Sequence, residues 1–401
     1  MERRDFLKTA GIGALAGTLG IAAAPDAHAA DKTPVSATPG KLRGYPLLLN
    51  PTQDSLFVVW LSEGDCTGVV EYGDAPDALN KTVASHRLGI ATQSSVHRVR
   101  LTNLVPGKTV HYRVVTRKSV RAADNLAASA TYAFTLPKKD AAELRFVQIN
   151  DTHENFPVID KLLARVEALK PDFFIWNGDV FNSVGGTEHI IKNVFLPVDR
   201  PFAATIPMVY ARGNHDVRGR GAALPDFLAM PEGSTYYTFR QGPAGFVVLD
   251  TAEDKADTRL GASACFEAFK DAETAWLPGA LQRPEIAGAP VKIGVFHIPF
   301  WSRGDWPGVD CRKRWLAHLE KAGIRFLICG HMHVYEYLTP GDVTAQKNDP
   351  DRTPVSITQL IGGGPSEKSA RLILASVKAG EIAITTENIA GKVVASHTVK
   401  C

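Results

Sequence analysis

The chain has 401 residues, of which 22% are charged and 45% are hydrophobic. This composition is typical of globular proteins, and the length predicts two domains with a sizeable core. The 45 basic and 42 acidic residues are spread along the chain and leave a net charge of +3, so no basic face or tail indicates nucleic-acid binding. We therefore expect the partner to be a small molecule.

Residues 1–30 have the features of an export signal rather than of a folded domain. Arg3 and Arg4 precede a soft stretch of Gly, Ala and Leu over residues 9–24, and small residues follow it. A membrane anchor needs roughly 20 strongly apolar residues, whereas this stretch is short and ends at Pro25. We predict a twin-arginine signal, export of the folded protein by the Tat machinery, a periplasmic or secreted location and no stable membrane anchor.

The cysteines do not define the fold. They number five and form no C-x-x-C pair, which argues against a zinc-thiolate knuckle and against a dense disulfide framework. Cys265 and Cys311 lie in loop-like segments between predicted strands, and we predict that they pair in an oxidising compartment. Cys329 follows an apolar run, which favours a buried small residue.

The first half of the chain shows a β pattern. Residues 31–44 contain Pro, Thr and Ser and are interpreted as a linker. Over residues 45–137, short alternating apolar runs are separated by turn signals, and no helical period persists. This pattern predicts a small all-β sandwich. Residues 104–109 and the strand after them resemble the turn and strand of fibronectin type III modules. We expect this domain to have a positioning role without chemistry.

From Leu144 the pattern changes to apolar strands that alternate with helices. Strands are predicted at 144–149, 172–176, 206–210, 246–249, 291–296 and 325–329, and helices at 157–169, 272–281 and 311–321. This alternation indicates a layered α/β domain, which we assign to residues 144–400. Strand-like runs at 372–377, 381–386 and 392–399 close the chain, and we expect them to complete a second sheet.

Potential metal ligands follow the predicted strands of this domain. They are Asp151, His153, Asp179, Asn214, His297, His331 and His333. Ligands at the carboxyl ends of strands converge on one crevice of an α/β sheet. Hard divalent and trivalent ions take carboxylate oxygen and neutral imidazole, so seven such residues on five loops are enough for two ions. Asp179 is the candidate bridge, because a shared carboxylate can hold two cations roughly 3.5 Å apart.

These residues stand in five short motifs. The motifs are Asp151-Thr152-His153, Gly178-Asp179, Gly213-Asn214-His215-Asp216, His297 and Gly330-His331-Met332-His333. In order and spacing they resemble the signature of the calcineurin-like metallophosphoesterases over residues 145–340, and five motifs in order are far more specific than one. The resemblance implies a four-layer αββα sandwich and a dinuclear centre that holds two ions drawn from Mn, Fe and Zn.

The resemblance also implies a role for each residue of the motifs. The first ion would be bound by Asp151, His153 and His333, the second by Asn214, His297 and His331, and both by Asp179. A hydroxide between the ions would attack phosphorus in line. His215, oriented by Asp216, would protonate the leaving oxygen or stabilise the developing negative charge.

The order of domains further resembles that of the purple acid phosphatases, with two departures. That subgroup has a tyrosine three residues after the bridging aspartate, where this chain has Asn182. It also lacks the histidine that stands here at His153. We therefore expect the domain layout of a purple acid phosphatase without its iron-tyrosinate centre and without its purple colour.

The function that these observations predict is metal-dependent hydrolysis of a phosphate ester, with monoesters favoured. Arg212, Arg218 and Arg220 flank the third motif and could either bind the phosphate or be solvated surface; we select Arg212 as the candidate substrate contact. Two alternatives stay open. One is a phosphodiesterase acting on nucleotides or on lipid or glycerol head groups, and the other is a metal-loaded protein that binds a phosphorylated ligand without turnover.

Overall fold

A computed structural model describes residues 40–117, 125–260, 264–304, 308–346 and 349–401. The predicted signal peptide and most of the predicted linker lie outside these ranges. Thr38–Cys401 forms one compact unit by itself. No helix in the described ranges is long and apolar enough to span a membrane.

The first part of this unit is all-β, as the alternating pattern predicted. Its strands are β1 (Leu42–Leu49), β2 (Leu56–Gly73), β3 (Lys81–Ala84), β4 (His86–Arg87), β5 (Ile90–Ala91), β6 (Ser94–Leu101), β7 (Thr109–Arg117), β8 (Asn125–Ala128) and β9 (Tyr132–Thr135). The long strand β2 pairs antiparallel with β1, β3, β6 and β7. Trp60, Tyr112 and Phe134 lie in its buried core. Strand β1 begins at Leu42, inside the predicted linker.

Strands and helices alternate in the second part. The strands are β10 (Leu144–Ile149), β11 (Phe173–Asn177), β12 (Met208–Ala211), β13 (Tyr237–Gln241), β14 (Ala244–Val248), β15 (Val291–Val295), β16 (Phe326–Cys329), β17 (Glu336–Leu338), β18 (Thr358–Ile361), β19 (Arg371–Lys378), β20 (Glu381–Asn388) and β21 (Val393–Lys400). The α-helices are α1 (Phe156–Leu169), α2 (Thr187–Val194), α3 (Leu224–Leu228), α4 (Phe266–Leu281), α5 (Pro284–Ala287) and α6 (Val309–Lys321). Short 3-10 helices lie at Leu196–Asp199, Pro201–Ala204, Gly221–Ala223, Pro231–Gly233, Asp257–Arg259 and Thr344–Gln346.

Helix α1 shows why the helices pack where they do. Pro157 stands in its first turn, where a missing N–H costs nothing, and Lys170 ends it in the left-handed conformation with a φ of 46°. Val158, Leu162 and Val166 are buried, which is the i, i+4, i+8 spacing of one helix face. The helix therefore lies with its apolar face against the sheet.

Two sheets pack face to face in the second part. The first runs in the order β21-β20-β19-β10-β11-β12-β1-β2-β7-β8, with β3, β6 and β9 off this path, and the second in the order β13-β14-β15-β16-β18-β17. Phe146 of the first sheet meets Phe246 of the second edge-on, with ring centroids 5.4 Å apart. The buried residues of α1 belong to the same hydrophobic cluster as the first sheet, whereas α4 and α6 pack on the second sheet. This arrangement confirms the predicted α/β sandwich.

The position of the three closing strands differs from the prediction. Strand β19 pairs antiparallel with β10, so β19, β20 and β21 extend the first sheet rather than complete the second. The second sheet is instead built by residues 237–361. The pairing has a physical reason, because β10 is the outermost of the parallel strands β10, β11 and β12, and its unpaired backbone groups need a partner.

The first and second parts of the chain share one sheet. Strand β1 pairs parallel with β12 at Leu49 and Met208. Asn50, the next residue, is buried; its amide donates to the carbonyl oxygens of Leu228 at 3.0 Å and Ala229 at 3.2 Å. The Tyr112 hydroxyl donates to the Ala204 carbonyl at 2.9 Å. The two parts therefore form a continuous structure.

The predicted disulfide is absent from the described residues. All five cysteines are free: Cys265 is exposed next to α4, whereas Cys311 lies within α6 and is buried. Cys311 belongs to the helix that the sequence predicted over residues 311–321, and its side chain lies on the buried face of that helix, so only its assignment to a loop-like segment is wrong. Cys329 is fully buried at the end of β16, as the apolar run before it predicted.

Candidate metal centre

The seven predicted ligands lie on loops that leave five strands of the two packed sheets. Asp151 and His153 follow β10, Asp179 follows β11 and Asn214 follows β12 in the first sheet, while His297 follows β15 and His331 and His333 follow β16 in the second. The ends of the parallel strands of both sheets meet at this point. The structure therefore brings all seven side chains into one cluster.

One group of ligand atoms surrounds Asp151. It contains Asp151, His153, Asp179 and His333, whose donor atoms all lie within 4.8 Å of one another. His333 Nε2 is 3.3 Å from Asp151 Oδ1, and His153 Nε2 is 3.4 Å from Asp179 Oδ2. The two imidazoles face each other, with His153 Nε2 2.9 Å from His333 Nε2. These are the residues that the resemblance assigned to the first ion, together with the bridge.

A second group of ligand atoms shares Asp179 with the first. It contains Asp179, His297 and His331, also within 4.8 Å of one another. His297 Nε2 is 3.2 Å from Asp179 Oδ2. Asn214 Oδ1 lies 3.0 Å from His331 Nδ1, which places the amide oxygen in this group. Asp179 is thus the member common to both groups.

Buried polar atoms without partners show that the cluster fits metal ions. Asp151 Oδ1 and His297 Nε2 are buried and make no hydrogen bond, although the His297 Nδ1–H donates to the Asn177 carbonyl at 2.9 Å. An unsatisfied buried carboxylate oxygen and imidazole nitrogen are costly unless a cation contacts them. Carboxylate, imidazole and amide oxygen are ligands that divalent metal ions accept. The cluster is therefore suited to hold divalent ions.

The electrostatics of the cluster also favour the binding of cations. Burial lowers the pKa of His297, but the carboxylates of Asp179 and Asp151 outweigh that effect and raise it to about 10. Burial lowers the pKa of His331 to about 4, which keeps this imidazole in the neutral form that binds metals. Two carboxylates that are almost completely buried thus attract positive charge to the centre of the site.

The backbone at the ligands is strained. Asp151, His153, Asp179, His331 and His333 all have positive φ angles, of 49°, 43°, 51°, 73° and 56°. Each such residue costs about 1–3 kcal/mol and persists only where its surroundings enforce it. Here the loops after β10 and β11 hold each other, since the Asp151 N–H donates to the Gly178 carbonyl at 3.0 Å and the His153 N–H to the Asp179 carbonyl at 2.9 Å. The strained backbone conformations therefore hold the ligand side chains in position.

Two glycines allow the ligand loops to approach one another. Gly178 has a φ of +75°, and a Cβ atom there would collide with the ring of His297. A Cβ on Gly330 would lie 2.5 Å from Asp151 Oδ2. Close packing between the ligand loops therefore requires glycine at both positions.

Asp216 has a different role from the predicted one. Its carboxylate accepts hydrogen bonds from four backbone N–H groups, those of Asp179 at 3.0 Å, Val180 at 3.1 Å, Phe181 at 3.2 Å and Gly213 at 2.9 Å. Burial and the charge of Asp179 raise the pKa of Asp216, and the Gly213 N–H opposes this shift. The turn that begins at Gly213 places the Asp216 carboxylate against the backbone of residues 179–181. The prediction that Asp216 orients His215 is therefore wrong.

His215 is oriented by Asn182 instead. The His215 Nδ1–H donates to the Asn182 carbonyl at 2.9 Å, because a carbonyl can only accept. The Asn182 side-chain amide donates to the His153 carbonyl at 3.2 Å and to Glu154 Oε2 at 3.3 Å. Asn182, which stands where the purple acid phosphatases have their tyrosine, thus connects His215 to the loop that carries His153.

The predicted substrate contact, Arg212, is mostly enclosed. Its Nε lies 2.7 Å from Oδ2 of the buried Asp250, and its guanidinium lies 5.4 Å from the ring centre of Phe269. Only 9% of the residue is exposed. A contact between Arg212 and substrate stays a prediction.

Sequence reasoning missed Asn150. Its side-chain amide donates a hydrogen bond to Asp151 Oδ2 at 2.5 Å. The position of Asn150 next to Asp151 is the only feature of the sequence that could have indicated this role.

Comparison with known families agrees with this geometry. Residues 144–335 match the family described as calcineurin-like phosphoesterase, and residues 45–136 match the N-terminal domain of purple acid phosphatases. The fold and the Asp/His cluster thus define a metallophosphoesterase, a hydrolase of phosphoesters. The chain therefore contains a calcineurin-like phosphoesterase domain, preceded by a domain that matches the N-terminal domain of purple acid phosphatases.

Two solved structures share this fold over most of the chain. A purple acid phosphatase from seeds of yellow lupin (Lupinus luteus) is 15% identical, covers 90% of this chain and 74% of its own, and superposes with a TM-score of 0.67. PhoD is 14% identical, covers 90% of this chain and 93% of its own, and superposes with a TM-score of 0.60. A comparison with curated proteins found no match.

Proposed function

We propose that this protein hydrolyses phosphate esters, with phosphomonoesters preferred, and that it requires two metal ions drawn from Mn, Fe and Zn. The observation that supports two ions is the position of Asp179, whose carboxylate belongs to both groups of ligand atoms. We assign Asp151, His153 and His333 to the first ion and Asn214, His297 and His331 to the second, with Asp179 as the bridge.

The residues around the ions have separate tasks in this proposal. When bound, the ions supply Lewis acidity and a nucleophilic hydroxide at neutral pH. His215 stands at the rim of the cluster, with its ring centre 4.7 Å from that of His153, and Nε2 is the ring nitrogen left for the substrate because Nδ1 is bonded to Asn182. His215 stabilises or protonates the leaving oxygen from that nitrogen. Asp216 keeps the loop of Asp179 in place.

Hydrolysis of a simple ester tests the proposal. Purified protein loaded with Mn, Zn or Fe should hydrolyse an aryl phosphate monoester faster than the corresponding diester. The substitution His215→Ala should lower kcat by roughly 10²-fold or more, the scale of general acid-base loss, without loss of metal. His86→Ala, on an exposed strand of the β-sandwich, is the matched control and should change neither quantity.

The two alternatives give different results in the same assay. Preference for the diester would replace the monoesterase by a phosphodiesterase of nucleotide or lipid or glycerol head-group substrates. Metal-replete protein that cleaves neither ester would instead indicate a phosphoryl-ligand-binding protein without turnover, and the enzymatic proposal would be abandoned.

We also propose that residues 1–30 direct Tat export to the periplasm or the medium, that residues 31–44 form a linker, and that residues 45–137 and 144–400 act as positioning and catalytic domains. The support for export is the sequence pattern around Arg3 and Arg4. Replacement of both arginines by lysine should leave the protein in the cytoplasmic fraction. Unchanged export of that variant would contradict the twin-arginine interpretation.

A further inference from the structure

Arg218 lies directly against His215. Its Nη1 atom is 2.8 Å from His215 Nε2 and 2.9 Å from His215 Nδ1. These nearly equal distances place Nη1 over the face of the imidazole ring, because a position in the ring plane near both nitrogens would overlap the carbon between them. The guanidinium therefore packs on the ring whose Nε2 atom the proposed function assigns to the leaving oxygen.

Two carboxylates hold this guanidinium in place. Arg218 Nε donates to Glu253 Oε2 at 2.9 Å and Nη2 donates to Glu253 Oε1 at 2.8 Å, a two-pronged contact that fixes the plane of the group. Asp254 Oδ1 accepts from Nη2 at 3.3 Å. The Glu253 side chain is 4% exposed and that of Arg218 is 27% exposed. Nη1 is the nitrogen that these carboxylates do not use.

The backbone of Arg218 is fixed as well. The Val184 N–H donates to the Arg218 carbonyl at 3.1 Å, and the Arg220 N–H donates to the Val184 carbonyl at 2.8 Å. Gly219 between them has a φ of +63°, which favours glycine. The same segment is close to the metal ligands, because the His215 N–H donates to Asp179 Oδ1 at 2.8 Å. Arg218 thus lies beside His215 on a loop whose backbone is held in place at both ends.

We propose that Arg218 binds the non-bridging oxygens of the substrate's phosphoryl group through Nη1, and that Glu253 positions the guanidinium for this contact. This inference rests on the proposed function, because it assumes that a phosphoryl group enters the Asp/His cluster. The face of the imidazole offers Nη1 no in-plane lone pair, so a phosphoryl oxygen supplies the acceptor that this N–H donor lacks, and the contact holds the phosphoryl group next to His215. Arginine suits this role, since its planar donors match phosphate geometry.

The other two arginines near the motif do not have this geometry. Arg212 is enclosed between Asp250 and Phe269. Arg220 is exposed and lies two residues beyond Arg218 on the same loop. Arg220 is therefore a suitable control for a change of charge on this loop.

Binding of inorganic phosphate to the metal-loaded protein tests the proposal independently of turnover. Calorimetric titration should show that Arg218→Ala raises the Kd for phosphate by roughly 10- to 100-fold, the range expected for loss of a charge-assisted hydrogen bond. Metal content, measured by plasma mass spectrometry, should not change. Arg218→Lys should lose most of the same affinity, because a lysine cannot form both hydrogen bonds to Glu253 and still contact the phosphate. Arg220→Ala should bind phosphate with the affinity of the parent protein.

The role of Glu253 is tested by a double-mutant cycle. Glu253→Gln should weaken phosphate binding in the parent protein but add nothing in the Arg218→Ala background, whereas a merely structural role would weaken both equally. The proposal is overturned if Arg218→Ala binds phosphate within twofold of the parent, or if the parent binds no phosphate. Phosphate binding that depends on Arg218 in a protein that cleaves no ester supports this inference while it contradicts the proposed function.

Discussion

At the scale of single residues, the aspartates of the site differ in what their carboxylates contact. Asp151 and Asp179 face the imidazoles of the cluster, and Asp151 keeps one oxygen without a hydrogen bond. Both carboxylate oxygens of Asp216, by contrast, accept hydrogen bonds from backbone N–H groups. The five motifs identified all three as important, but residue type and spacing alone could not separate a ligand from a loop anchor.

The substitution Asp216→Asn should therefore affect the metal centre rather than the proton transfer. An amide places an NH2 group against N–H donors, and each buried donor left without an acceptor costs about 1–3 kcal/mol. We expect a lower free energy of unfolding and a metal affinity reduced by roughly 10- to 100-fold, the range for residues behind a metal ligand. Denaturant unfolding and metal content after dialysis measure both effects. A variant with full metal content and a reduced rate would restore the view that Asp216 serves His215.

His97 predicts a pH dependence away from the metal centre. It is 4% exposed, stacks on Trp60 and faces the Ser62 hydroxyl at 2.9 Å, and its burial lowers the pKa to about 4. The unfolded chain binds a proton near pH 6.5, so the folded state loses stability as the pH falls from about 6.5 towards 4, by up to about 1.4 kcal/mol per pH unit.

The substitution His97→Gln should remove that part of the pH dependence. The difference in unfolding free energy between parent and variant, measured by urea denaturation at several pH values, should shrink as the pH falls below 6.5. A difference that stays constant from pH 7 to pH 4.5 would show that His97 does not titrate as a buried neutral group.

At the scale of elements, the strands with a local signal were predicted and those without one were missed. Strands β10, β11, β15 and β16 consist mostly of apolar residues, and their bounds agree with the predictions within a residue or two. Strands β13, β17 and β18 have a weaker local signal: β17 has only three residues, and β13 ends in Arg240 and Gln241, which are buried with hydrogen-bond partners. Long-range pairing rather than local sequence determines these strands.

The loop after β11 predicts a specific effect of a small substitution. Gly178→Ala places a Cβ against the His297 ring and forces a φ near +75° on alanine, which costs about 1–3 kcal/mol before any steric strain. We expect a lower Tm and a lower metal content, because both His297 and Asp179 would shift. Gly279→Ala in α4, where a Cβ meets no atom within 4 Å, is the control and should be neutral or slightly stabilising. Equal behaviour of the two variants would contradict the packing argument.

At the scale of the whole molecule, the sequence predicted two successive domains but not the sheet that connects them. The alternating runs before residue 137 and the strand-helix alternation after residue 144 were sufficient for the fold classes. They contain no information on the pairing of β1 with β12, or on the addition of β19 to β10, because these strands are far apart in the chain. The same limit applies to Arg218 and Glu253, which are 35 residues apart and belong to no shared motif.

Asn50 at the junction provides a test of this continuity. Its Oδ1 accepts from the Tyr210 N–H at 3.3 Å and from the Tyr237 hydroxyl at 3.2 Å, in addition to the two hydrogen bonds that its amide donates. Asn50→Ala removes the partner of the Tyr210 N–H and of the Leu228 and Ala229 carbonyls, whereas the Tyr237 hydroxyl keeps its hydrogen bond to the Tyr210 carbonyl at 2.8 Å, and we expect a loss of about 1–3 kcal/mol. Calorimetry should show one unfolding transition that moves to lower temperature as a whole. Two separate transitions, of which only one shifts, would show that the parts unfold independently.

The central claim is a two-ion centre organised around Asp179, and metal stoichiometry tests it most directly. Plasma mass spectrometry on protein purified without chelator, or reconstituted with Mn, Zn or Fe, should give two ions per chain. The Asp179→Ala variant should give one ion or none, with loss of aryl phosphate hydrolysis. A parent protein that holds one tightly bound ion or none under the same conditions would contradict the account.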